Sequence, residues 1–147
     1  MKIVAAAVVL LMAAFPCAAA SWKSIRKDAN AQLSVDTQSI NRKGDDASIH
    51  YMVDFRSGQA VAGVRNPFRS IVVNAKVSCA NRTIALLGTD GYAQYGARGT
   101  IVARTAPNPA EAGPQPLEPG TSDEDVWRYV CEDKKAPDKE KKAPEKK

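Results

Sequence analysis

The sequence predicts an α+β domain: a single antiparallel β-sheet of about five to six strands, with a C-terminal helix packed on one face and disulfide-linked to it. Three observations carry this. Between residues 31 and 104 apolar and polar residues alternate in several short runs separated by turn residues. The clearest helix-period segment, "DEDVWRYVCEDKK", comes after all of them. Cys79 ends one alternating run and Cys131 ends the helix, both on apolar faces.

Residues 1–20 read as a signal peptide. One lysine precedes an apolar run from Ile3 to Phe15, and Ala18 and Ala20 form an A-x-A site with cleavage before Ser21. The run is too short to cross a bilayer, and no other segment is apolar and long enough. Cys17 invites a lipoprotein reading, which Phe15 and Pro16 oppose because such sites take small residues there. The expected product is exported, to the periplasm or the outer cell surface.

The body, residues 21–132, follows. "AQLSVD" is a short strand with Leu33 and Val35 on one face. "TQSINRKGDD" is turn-rich. In "ASIHYMVDF" Ile49, Tyr51, Val53 and Phe55 face one way and Ser48, His50, Met52 and Asp54 the other. "SGQAVAGVRNP" is loop-like. In "SIVVNAKVSC" Ile71, Val73, Ala75, Val77 and Cys79 share one face. "ANR" then makes a tight connection to the strand "TIALLG", an expected antiparallel hairpin. "TDGYAQYGARG" is expected as a turn-rich loop, and "TIVAR" as a further strand. "TAPNPAEAGPQPLEPG" holds five prolines and can be neither helix nor central strand. Ser122 is the expected N-cap of the last helix, with Asp125 as its capping-box partner and Asp123 and Glu124 complementing the dipole.

Residues 133–147 are expected to be a disordered Lys/Pro-rich tail with no aromatic or branched side chain to bury. From Lys134 onward it carries seven lysines and three acids, net +4, whereas residues 21–133 hold 13 basic and 13 acidic residues. The basic charge therefore belongs to the tail. That weighs against nucleic-acid recognition, which needs a basic face on the fold. It leaves open a solubilising role or attraction to an anionic polymer.

With the leader removed, Cys79 and Cys131 remain, an even count in an exported chain, and such thiols pair in an oxidising compartment. The lack of a CxxC spacing and the single histidine, His50, weigh against a metal site, and no cofactor is expected. His50 sits on a polar strand face with no evident Ser/Asp constellation; only a pocket placing it beside a carboxylate would revive a hydrolase. Asp45 and Asp46 lie in a turn beside Gly44, where carboxylates cap amides. The glycines fit no phosphate loop. "NRT" at 81–83 is a formal glycosylation sequon. Trp127 belongs to the helix stripe and hence the core. Tyr92 and Tyr95, in a Gly-rich segment, are better candidates for partner contact, together with Lys134, Lys135, Lys141 and Lys142 of the tail.

Three stretches together resemble the surface-adhesin protein E family of bacterial envelope proteins. In "SVDTQSINRKGDDASIHYMVDF" an Asp precedes a Ser-Ile and an Arg-x-Gly turn. In "FRSIVVNAKVSCANRTIALL" Arg-Ser opens a strand ending in Cys-x-Asn-Arg. "PLEPGTSDEDVWRYVC" is a Pro/Gly-led helix ending in Cys. The resemblance spans roughly residues 22–131. It implies an antiparallel sheet with a C-terminal helix held by a disulfide, and Cys79 and Cys131 match that pair. It also implies adhesion to host or matrix proteins; the central loop and the Lys-rich tail match no part of the pattern. The expected function is an exported, non-enzymatic adhesin-like binding module whose partners are host or matrix proteins or anionic polymers. The alternative is a periplasmic structural or accessory protein with no adhesive role, which could act as a homodimer.

Overall fold

The computed structural model describes residues 20–60, 64–106 and 113–132. The leader, Ala20 apart, and the tail from residue 133 lie outside the described residues.

The chain forms β1 (Trp22–Lys27), β2 (Ala31–Asp36), β3 (Asn41–Lys43), β4 (Asp46–Gln59), β5 (Phe68–Ser78), β6 (Thr83–Gln94), β7 (Arg98–Thr105), β8 (Gln115–Pro116) and the helix α1 (Ser122–Cys131). The main path of the sheet runs β1-β2-β4-β5-β6-β7, with β3 on β4 and β8 on β6. Every pairing is antiparallel. β3 takes up the edge of β4 at Asp46–Ser48, where β2 has already ended. β8 does the same for β6 at Thr83–Ile84, beyond the reach of β7. The predicted α+β architecture is thus the observed one, widened by two short edge segments.

Register makes one face of this sheet apolar. Val35 lies opposite Tyr51 and Leu33 opposite Val53; Tyr51 in turn lies opposite Val73, and Ile49 opposite Ala75. Because paired residues share a face, the alternating runs stack into one layer. Val126, Trp127 and Val130 of α1 cover it, and Leu33, Val35, Ile49, Ala75 and Val77 are at most 2% exposed. Burying each large aliphatic side chain contributes about 1.5–3 kcal/mol.

Polar contacts fix where the helix sits. The Trp127 indole N–H donates to the Ser78 carbonyl at 3.0 Å, and the Arg82 guanidinium lies 4.5 Å from the ring centre. The Tyr51 hydroxyl donates to Asp123 at 2.7 Å; burial and that carboxylate push its pKa far up. Arg26 reaches from β1 to Asp125 at 2.6 Å and to the Ser122 hydroxyl at 3.0 Å. Arg42 of β3 donates to the Val130 carbonyl. Cys79 and Cys131 are bonded, their Cα atoms 5.5 Å apart.

Several local expectations are corrected. The cap is Thr121, not Ser122: its hydroxyl accepts the Glu124 N–H at 3.3 Å, and the Glu124 carboxylate accepts the Gly120 N–H at 2.8 Å. Glu is long enough to reach back across the turn and Asp is not, so the box forms one residue earlier and Ser122 is left for Arg26. Ser57–Gln59 continues β4 instead of opening a loop. "TDGYAQ" is strand, and the turn narrows to Tyr95–Ala97. Gly91 is a strand glycine because a Cβ there would stand 3.1 Å from the Ala103 Cβ and 3.3 Å from the Phe68 ring. β1 and β3 were not anticipated. A register shift at Ser24/Arg26 interrupts the period of β1, and β3 is three residues long.

Candidate interaction face

The helix covers one face of the sheet. On the other, β4, β5, β6 and β7 line an open groove of about 510 Å³. His50, Asn74, Leu87, Asp90, Tyr92 and Arg104 are among its walls. His50 lies opposite Asn74, both exposed, as cross-strand neighbours. A register shift between Asn74 and Ala75 adds one residue to β6. Leu86 therefore stays opposite Ala75, on the helix side, while Leu87 faces the groove and is 45% exposed. The same shift brings Asp90 opposite Val72 and Tyr92 opposite Ser70.

Arg104 grips Asp90 with two bonds, Nε to Oδ1 at 2.6 Å and Nη2 to Oδ2 at 3.1 Å. That contact raises the already high pKa of Arg104. Both oxygens of Asp90, the carboxylate that lines the groove, are engaged by Arg104, and among the described residues no hydrogen bond joins it to the His50 ring. Among the described residues, no group of three or more His, Cys, Asp or Glu could hold a metal ion. The groove is suited to contact: aromatic, aliphatic, amide and paired-charge groups on a rigid sheet.

A family model described as surface-adhesin protein E matches residues 22–132. The chain belongs to this family. No curated protein matches it. Among solved structures it is similar to Haemophilus influenzae protein E. One crystal form shares 20% identity at a TM-score of 0.57, covering 76% of this chain and 87% of that one. Protein E from non-typeable Haemophilus influenzae shares 21% at 0.53, covering 74% and 75%. At such identity the likeness concerns the fold.

Within this protein E fold the two sequence-nominated tyrosines part company. Tyr92 is half-buried in the groove wall. Tyr95 is in the β6–β7 turn: its hydroxyl donates to the Arg56 carbonyl at 2.7 Å and accepts from Arg69 Nη1 at 2.9 Å. Its ring is 40% exposed. Lys134, Lys135, Lys141 and Lys142 lie outside the described residues. Sequence reasoning missed Leu87, Asp90 and Arg104. The doubled Leu86-Leu87, which breaks strict alternation, was the available signal of the bulge that turns Leu87 and Asp90 outward, Arg104 standing opposite Asp90 on β7.

Proposed function

We propose that this chain is an exported, non-enzymatic binding module of the bacterial cell envelope, contacting protein or polymer partners through the open sheet face and the β6–β7 turn. Membership of the surface-adhesin protein E family carries the reading. The groove supports it, since a flat face of mixed aliphatic, aromatic and paired polar groups matches the make-up of protein interfaces and not of an enclosed reaction site. Residues 1–20 are assigned to a cleaved leader and residues 133–147 to a basic tail that adds weak long-range attraction. Host or matrix proteins are the expected partners.

The test is a binding screen of the purified mature protein against immobilised matrix proteins, together with protease shaving of intact cells. Saturable binding weakened by Tyr92→Ala, plus cleavage on intact cells, is the expected result. Protection from shaving with no binding to any matrix protein would overturn the reading in favour of a periplasmic accessory role.

A further inference from the structure

Residues 21–133 carry no net charge, yet five of the nine cations without an ion pair among the described residues stand together at one end of the sheet. β1 ends there with Lys27, β4 passes through Arg56, β5 opens with Arg69 and β7 with Arg98. Arg65, exposed, lies on the approach to β5. Antiparallel pairing is the cause, since it brings the ends of β1 and β4 beside the starts of β5 and β7. None of these five cations forms an ion pair among the described residues.

Tyr95 ties the cluster together. Arg69 donates to its hydroxyl and lies 5.2 Å from its ring centre. Arg98 Nε donates to its carbonyl at 3.3 Å, and its hydroxyl donates to the Arg56 carbonyl. Lys27 and Arg56 share with it a hollow of about 210 Å³. Two carboxylates also line that hollow and offset part of its positive charge, Asp28 lying in the field of Arg56; both also accept backbone amides. Asp54 accepts the Gly96 N–H at 2.6 Å, and Asp28 accepts the amides of Asn30 and Ala31. Tyr95 thus holds the guanidiniums of Arg69 and Arg98, and most donors of the cluster meet no protein acceptor among the described residues.

The geometry points to a polyanion site here, and we infer that its occupant is a sulfated polysaccharide chain. It deepens the binding-module reading and rests on it. Guanidinium forks match the planar pairs of oxygens on a sulfate, and a linear chain can meet several of them in succession. Nucleic acid fits less well. Single-strand sites stack bases on aromatic faces, and the face of Tyr95 is already under Arg69.

The experiment measures affinity of the purified full mature chain for a heparin oligosaccharide over a salt series. Lys27→Gln/Arg69→Gln/Arg98→Gln should lose roughly tenfold or more, with a shallower salt slope, because each cation removed takes with it about one released counterion. Lys43→Gln/Lys76→Gln, at the opposite end, should bind as the parent does. An equal loss in that control, or no loss in the triple variant while its circular dichroism is unchanged, overturns the site. So does complete loss when the seven tail lysines are replaced by Gln, or equal affinity for a DNA duplex of the same length. A failed heparin titration leaves matrix-protein binding standing, and the converse holds as well.

Discussion

Asp28 shows what a single exposed carboxylate contributes. Hydrogen bonds from the Asn30 and Ala31 amides, followed by the field of Arg26, hold its pKa below the ordinary 3.8. A depressed folded value means that the unfolded chain takes up the proton more readily. The stabilisation is therefore complete above the ordinary value and is lost as the pH falls through the folded one. Asp46 behaves alike under Lys76 and Ser78, so the acid limb of stability has two contributors of the same sign. Asp28→Ala should lower the melting temperature at neutral pH, and its melting temperature should fall less steeply than the parent's between about pH 4 and pH 2. Parallel curves across that range would show that the turn amides do not depend on the charge. Single-residue roles of this kind were partly legible. The turn capped by Asp28 was missed, whereas a Ser/Thr cap before an acidic first turn was readable to within one residue. The choice between Thr121 and Ser122 was not, because it is decided by how far the Glu124 side chain reaches.

Elements were legible where apolar and polar residues alternate along a strand. β2 and the centres of β4 and β5 follow period two, and their bounds come close to the runs that mark them. Beyond the helix's cover that contrast fades, so the far ends of β4 and β6 read as loops. The glycines of β6 added to this: Gly91 is there to admit Phe68 and Ala103, not to turn the chain. The candidate face was less legible still, because it depends on a one-residue bulge that only pairing with β5 reveals. Ser70 is a further case. It is fully buried; its hydroxyl donates to the Gln94 carbonyl at 2.6 Å and accepts the Ala97 N–H at 3.0 Å, pinning the β6–β7 turn to β5. Ser70→Ala leaves a donor and an acceptor without that partner and should cost about 1–3 kcal/mol in urea unfolding. Tyr95 fluorescence or amide exchange at Gly96 should report a loosened turn. A neutral substitution would mean that water replaces the hydroxyl there.

At the scale of the whole molecule the question is what keeps a ten-residue helix on the sheet. A helix of that length is marginal by itself, so it persists through what it touches. Its apolar stripe contributes most, and Arg26, Tyr51 and Arg42 orient it at both ends. The Cys79–Cys131 bond, spanning 52 residues, acts differently: in the chain-entropy view it restricts the unfolded state more than it adds native contacts. Those two routes predict different outcomes on removing it. If the bond were the main restraint, Cys79→Ala/Cys131→Ala would release the helix from a folded sheet. Because the packing and the polar ties survive the change, the helix should stay docked. The double variant should instead lose about 4 kcal/mol of global stability with little change in denaturant slope. For a domain whose total is about 5–15 kcal/mol, that is about a quarter to four-fifths of the whole, while the native fraction keeps its fold. Urea unfolding in a Trp22→Phe background, followed by Trp127 fluorescence and by far-ultraviolet circular dichroism, tests this directly. Coincident curves shifted to lower urea are the expected result. An earlier Trp127 transition, with the sheet signal persisting beyond it, would mean that the sulfur bridge and not the buried stripe holds the helix in place.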